Sequence, residues 1–272
     1  MSPAPNHKAT PVPGSGPCLL CGTSAEPTVE HIIPRTLWKR FGIDPDRPDL
    51  ARFRTTLCNR HNEATSKLHV RSDMMKLIET GELVTRKTLD HLSDWAIWVT
   101  LLFALERGSG VLGPEASREL LLRRFDTDRA GPPKGFRVYA AKVASYVEPA
   151  DPRTVPYVLA LQSDSRITLD AAGEPNGFTI REGPINASES IGLGKLVLLV
   201  VGLSFPSGPD HNERLDEAAA QVGLERIHPP GRTLPTLTPA SVNMTDISKV
   251  FTVLPIGADP SLLPKGLQNL FG

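Results

Sequence analysis

The chain has 272 residues and carries 30 Lys or Arg against 30 Asp or Glu, so no partner is attracted by overall charge. Its length allows one large domain or two smaller ones with a full core. It has no apolar run near the roughly 20 residues a membrane-spanning helix needs and no signal-peptide pattern; the expectation is a soluble, cytoplasmic protein.

Residues 1–16, MSPAPNHKATPVPGSG, are rich in Pro, Gly and Ser and hold His7 without an obvious task. They read as a disordered leader. The next stretch holds all three cysteines of the chain. Cys18 and Cys21 form one Cys-x-x-Cys pair, and Cys58 with His61 forms a second pair at the same spacing. Together they offer four N/S donors, the set a tetrahedral structural Zn2+ takes. Three cysteines cannot all pair as disulfides, and no secretory signal places them in an oxidising compartment.

Between the pairs runs Thr28-Val29-Glu30-His31-Ile32-Ile33-Pro34. If this is a strand, Glu30 and His31 point to opposite faces unless the strand ends or bulges there. Pro34 favours an ending, because it biases Ile33 away from helix and cannot donate to a ladder.

Cys18-x-x-Cys21, Glu30-His31-Ile32-Ile33-Pro34 and Cys58-x-x-His61-Asn62 together resemble the HNH endonucleases in their zinc-stapled ββα-metal form. The resemblance covers residues 17–75, about a fifth of the chain. It implies that Glu30 binds a catalytic divalent metal such as Mg2+ and that His31 is the general base activating water. It also implies that Asn62 stands where many members place the last Asn or His of the motif. The chemistry agrees. A hard cation anchored by a carboxylate neutralises charge building on a phosphodiester, and an imidazole titrating near neutrality accepts a water proton. Many members carry an Asn about five residues before the second ligand pair; this chain has Phe53 there.

If a helix begins near Asn62, then Asn62, Ser66 and His69 share one face. His69 then either completes the metal site beside Glu30 or lies on a solvated face, and Asn62 has an alternative role as helix N-cap. The insert contributes a short amphipathic helix over 36–41. From Arg35 to Lys76 there are ten Lys or Arg against five Asp or Glu. This local excess suits either a nucleic-acid backbone or an ordinary solvated face. Arg35, Lys39, Arg40 and Lys67 are the nucleic-acid-binding candidates.

Residues 72–107 read as helical, interrupted by Gly81. The run Trp95, Ile97, Trp98, Val99, Leu101, Leu102 and Phe103 has the character of a fully buried helix rather than a base-stacking platform. A further helix is predicted over 114–125, opened by Pro114 with Glu115 at its positive end. After Gly131-Pro132-Pro133 the composition turns to strands, predicted over 136–147, 155–161, 166–169, 178–181 and 195–203, with a short helix over 212–222. The unbroken run 196–201 reads as a central strand covered on both faces. His211 and His228 are isolated and read as structural or surface residues. The tail from 235 is Pro-rich, with 250–254 strand-like.

The expected fold is α+β. It comprises a leader (1–16), a zinc-stapled ββα-metal module (17–80), a helical region (81–130) and an α+β C-terminal domain with an antiparallel sheet (131–272). The layout is similar to a subgroup of bacterial HNH proteins. The expected function is metal-dependent hydrolysis of phosphodiester bonds, in DNA, leaving a 5'-phosphate and a 3'-hydroxyl. The alternatives are a zinc-stapled nucleic-acid or protein-binding module without cleavage, and a site acting on a small phosphorylated substrate.

Overall fold

Two β-branched-rich segments pair first. Strand β1 (Pro27–His31) runs antiparallel to β2 (Arg54–Cys58), with Glu30 opposite Thr55 and His31 opposite Arg54. β1 stops at His31; Ile32 and Ile33 are buried, and Pro34 leads into helix α1 (Arg35–Arg40). The Pro34 carbonyl accepts the backbone N–H of Leu37 (2.9 Å) and of Trp38 (3.3 Å), which closes the first turn. α1 buries Leu37 and Trp38 and leaves Arg35, Lys39 and Arg40 exposed.

Helix α2 (Asn59–Ser66) follows β2 without a connecting residue. The helix therefore begins three residues before the start expected near Asn62. Cys58 ends the strand, and His61 falls in the first helical turn. Asn62 is interior to the helix, not its N-cap.

The structure is a computed structural model that describes residues 16–40, 44–46, 53–66, 72–80, 82, 85–107, 114–127, 132–133, 135–143, 158–163, 166–169, 175–179, 186–193, 196–203, 213, 216–217, 219–220, 223–235, 237 and 239–240. The predicted leader up to residue 15, Lys67, His69, His211 and the strand-like stretch 250–254 lie outside the described residues.

The predicted helical stretch 72–107 is two helices, α3 (Ser72–Thr80) and α4 (Arg86–Arg107). Thr85 caps α4, its hydroxyl accepting the Thr88 N–H at 3.1 Å. The Thr88 hydroxyl donates to Asp73 at 2.9 Å and so ties the two helix starts together. Five consecutive α4 residues, Trp95 to Val99, are buried. A helix stretch apolar all round must be covered all round, and α4 is from Leu92 to Leu105. It packs against α3, against α5 (Pro114–Thr127) and against the C-terminal sheet. Asp94 and Arg124 form a two-pronged ion pair between α4 and α5. The tryptophans are core residues.

The C-terminal sheet contains β3 (Phe136–Val143), β4 (Val158–Ser163), β7 (Asn186–Leu193), β8 (Leu196–Leu203), β9 (Glu225–His228) and β10 (Pro239–Ala240). A separate antiparallel pair joins β5 (Arg166–Leu169) and β6 (Pro175–Thr179). The order β10-β3-β8-β7-β4 puts β8 between β3 and β7. Its consecutive buried residues Leu198 to Val201 have cover on both faces, as an unbroken apolar run requires. All pairings are antiparallel except the two-residue contact of β10 with β3. The chain is thus α+β with small antiparallel sheets. Among the described residues no helix is long and apolar enough to cross a membrane.

Buried residues from the Cys18 turn, α1, β2, the helices and the sheet form one continuous apolar cluster. Phe53 is at its junction. It is 3% exposed, with its ring edge-on to Trp38 (5.4 Å) and to Phe103 of α4 (5.5 Å). Its carbonyl accepts the Ile32 N–H at 2.9 Å, just past the end of β1. The residue that departs from the HNH pattern is thus an aromatic core contact. Phe53→Asn, although it supplies the residue the pattern has there, is expected to destabilise the chain by about 3–5 kcal/mol in urea titration, the cost of removing a buried aromatic ring.

Candidate functional site

The Cys18 turn is built from backbone bonds. The Cys18 N–H donates to the Thr23 carbonyl (2.7 Å) and the Gly22 N–H to the Cys18 carbonyl (2.8 Å). Gly22 has φ of +74°, a left-handed conformation that glycine adopts without strain. The turn is docked twice. The Leu19 N–H donates to the Thr56 carbonyl of β2 (2.9 Å), and Arg118 of α5 donates to the Leu19 carbonyl (3.3 Å).

This brings Cys18 and Cys21 to Cys58 and His61, with the four ligand atoms within 4.8 Å of one another. His61 Nδ1 is 3.3 Å from both Cys18 Sγ and Cys58 Sγ, and Cys21 Sγ is 3.9 Å from Cys58 Sγ. A tetrahedral zinc site has S···S edges of about 3.8 Å and N···S edges of about 3.6 Å, given metal distances near 2.3 and 2.0–2.1 Å. The cluster is compatible with zinc, and no other group of three or more such side chains comes together among the described residues.

Electrostatics at the sulfurs favours a cation. Burial acts to raise the Cys18 thiol. It is outweighed by the Cys21 backbone N–H, the His61 ring and the N–H groups of Cys58 and Leu20, which bring it from 9.0 down to about 6. Cys21 is pushed the opposite way, first by desolvation and then by the neighbouring Cys18 and Cys58 sulfurs. The His61 ring also lies 5.0 Å from Phe125 of α5, which meets Trp98 of α4 edge-on at 5.0 Å. The ligand cluster is thereby continuous with the helical core.

The side of β1 that faces α2 forms a second polar group. Thr28 donates to the Leu57 carbonyl (2.9 Å) and accepts from Asn62 Nδ2 (2.8 Å). That bond uses the Asn62 amide nitrogen and leaves its carbonyl oxygen for another partner. Glu30 lies on the same face, 4% exposed. Burial drives its carboxyl from 4.5 up to about 7, against a smaller opposing effect of the Thr65 hydroxyl. Directly across the hairpin, the Thr55 hydroxyl is buried without a hydrogen-bond partner. Among the described residues no Lys or Arg pairs with Glu30. A buried carboxylate, an unsatisfied hydroxyl and an amide carbonyl on one face are oxygen donors of the kind a hard divalent cation takes.

His31 leaves β1 on the other face, 8% exposed. Its Nε2 lies 3.6 Å from Asp46 Oδ1, and Arg35 donates to Asp46 Oδ2 at 2.5 Å. Burial lowers the imidazole's affinity for a proton; the Arg35 and Arg54 cations lower it further, and Asp46 acts in opposition. His31 is therefore held neutral, the form in which imidazole accepts a proton.

The structure thus groups Cys18, Cys21, Cys58 and His61; on the side of β1 that carries Glu30, Asn62 bonds Thr28 and Thr65 adjoins Glu30. It does not bring His31 onto the Glu30 face. Arg35, Lys39 and Arg40 are exposed around α1. Thr55, Arg54 and Asp46 have no motif signal. The first two are found only from the register of β1 on β2, and Asp46 only from the path of the insert. Comparison of the chain with models of known protein families, with characterised proteins and with solved structures found no match.

Two outcomes are expected. Purified protein should contain about one zinc per chain by elemental analysis, and Cys58→Ser should lose it together with near-ultraviolet circular dichroism from the Trp98 environment. The second concerns Glu30. Its folded-state value lies above the unfolded one, so the folded chain retains a proton between about pH 4.5 and 7, and this contribution to stability falls as pH rises through that window. Without added Mg2+, Glu30→Gln should therefore be more stable than wild type at pH 8, by on the order of 2–3 kcal/mol, with little difference near pH 4.5.

Proposed function

We propose that the chain is a zinc-stapled HNH-type endonuclease that hydrolyses phosphodiester bonds, in DNA, with a divalent cation. The observation that carries this reading is Glu30. Among the described residues its buried carboxyl has no cationic partner, which is costly, and strong perturbation by desolvation beside other metal-type donors marks a site kept for function. Glu30 and the Asn62 carbonyl would hold Mg2+ or a similar ion; His69 belongs to the same proposed set. Bound there, the cation supplies neutralisation of charge on the phosphoryl and leaving oxygens.

The remaining work falls to the chain's own groups. Cys18, Cys21, Cys58 and His61 hold Zn2+ and seat α2 against the hairpin. His31, neutral at working pH, takes a proton from water at the end of β1. Arg35, Lys39, Arg40 and Lys67 attract the polyanionic backbone, and Arg54, directly across from His31, adds a cation at the reacting phosphate.

Two observations favour a second reading. Glu30 and His31 leave β1 on opposite faces and each is under a tenth exposed, and the position that carries Asn in many HNH nucleases is a core phenylalanine. A zinc-stapled binding module that does not cut would have these features.

Supercoiled plasmid incubated with zinc-loaded protein and Mg2+, Mn2+ or Ni2+ separates the two. Nicking and linearisation are expected with wild type, and His31→Ala should slow them by about 100-fold or more, the scale of losing a general base. Binding without cutting in every metal would establish the second reading, and equal cutting by both proteins would expose a contaminant.

A further inference from the structure

The insert between the two ligand pairs carries three carboxylates that the nuclease reading does not use, Asp44, Asp46 and Asp49. Asp46 sits on a turn anchored from three directions. Its own N–H donates to Asp44 Oδ1 at 3.0 Å, Arg54 of β2 donates to the carbonyl of buried Pro45 at 3.0 Å, and Arg35 of α1 takes Asp46 Oδ2 at 2.5 Å. One carboxylate oxygen is thereby fixed, and the other, Oδ1, is turned to His31 Nε2 at 3.6 Å. That nitrogen is buried and has no hydrogen-bond partner. The gap is about half an ångström beyond a normal N–H···O bond, a distance that a small side-chain rotation closes.

We infer that Asp46 is a positioning residue for His31, holding its imidazole by accepting the Nε2 proton so that Nδ1 is the nitrogen that takes the proton from water. The inference rests on the nuclease reading of the same site. Its logic is general: a base ring is useful only in the correct tautomer and orientation, and a carboxylate on the far nitrogen supplies both while stabilising the cation formed by proton transfer. Base-orienting contacts are often long before substrate binds and tighten in the complex. The turn's three anchors favour this role over that of a carboxylate plug standing in for the substrate phosphate between Arg35 and His31, since a plug must leave and this turn is held by two strand and helix side chains and by its own backbone.

The test uses the full zinc-loaded chain, supercoiled plasmid and Mg2+. Asp46→Asn keeps an oxygen for Arg35 but loses the acceptor charge. It is expected to lower kcat by about 10- to 100-fold, as loss of an orienting partner does. KM should change by less than about twofold, and the same substitution in the slower His31→Ala background should cost less than about twofold, since the two groups act as one unit. Nitrogen-15 NMR of the histidines should show His31 protonated at Nε2 in wild type and a larger Nδ1-protonated share in Asp46→Asn, with the unfolding midpoint unchanged. Cutting by Asp46→Asn at the wild-type rate, or faster with lower KM, overturns the positioning role and leaves the nuclease reading intact. A wild-type protein that cuts in no metal overturns the nuclease reading, and the role of Asp46 falls with it.

Discussion

Four ligand atoms drawn from residues 43 positions apart converge within 4.8 Å, and most of the N-terminal geometry follows from that convergence. Cys58 is the last residue of β2 and His61 lies in the first turn of α2, so closing the cluster sets the angle at which the helix leaves the hairpin. That angle places Asn62 against Thr28 and Thr65 beside Glu30. It also presents the His61 ring to Phe125, and through Phe125 to Trp98. A metal ion in such a cluster contributes to folding free energy directly, on the order of 10 kcal/mol in small zinc domains. Here its ligands are joined to the core as well as to one another.

The hairpin separates an acid from a base. Their surroundings disfavour charge on both, burial raising the Glu30 carboxyl to about 7 and burial with two flanking arginines lowering the His31 imidazole. Neither state favours stability, because each group would gain by being exposed or paired. Such residues are retained where a ligand restores what the fold withholds. For Glu30 the ligand we propose is a cation, which would turn the desolvated carboxyl into a coordinated carboxylate. The unpartnered Thr55 hydroxyl beside it points the same way.

Phe53 shows how a departure from a motif is absorbed. An Asn there would bury an amide where Phe53 now packs edge-on against the rings of Trp38 and Phe103, at a desolvation cost. The phenylalanine instead joins the hairpin to α4, and the carboxylate nearest His31 comes from the insert, Asp46 at 3.6 Å. Farther along, the polar strand β7 and the short β9 complete a sheet whose centre, β8, was clear from its apolar run alone. β7, Asn-Ala-Ser-Glu-Ser-Ile-Gly-Leu, has low intrinsic strand preference; it is a strand because β8 offers it a ladder.

Local chemistry was legible without coordinates. Ligand type and x-x spacing identify the Cys18, Cys21, Cys58 and His61 set, and Pro34 marks the strand end at His31. The unbroken apolar runs identify α4 and β8 as buried elements, since such a run has no face to give to water. What needed the fold was everything that depends on which segments meet. The start of α2 at Asn59, the pairing of Glu30 with Thr55 and of His31 with Arg54, the reach of Asp46 to His31 and the use of Phe53 as a core contact all join residues distant in sequence. Spacing along the chain records which side chains are available to a turn or a helix face. Only the closure of the hairpin, the ligand cluster and the helical core decides which of them share a surface, because those contacts are set by packing between segments and not by neighbours along the chain.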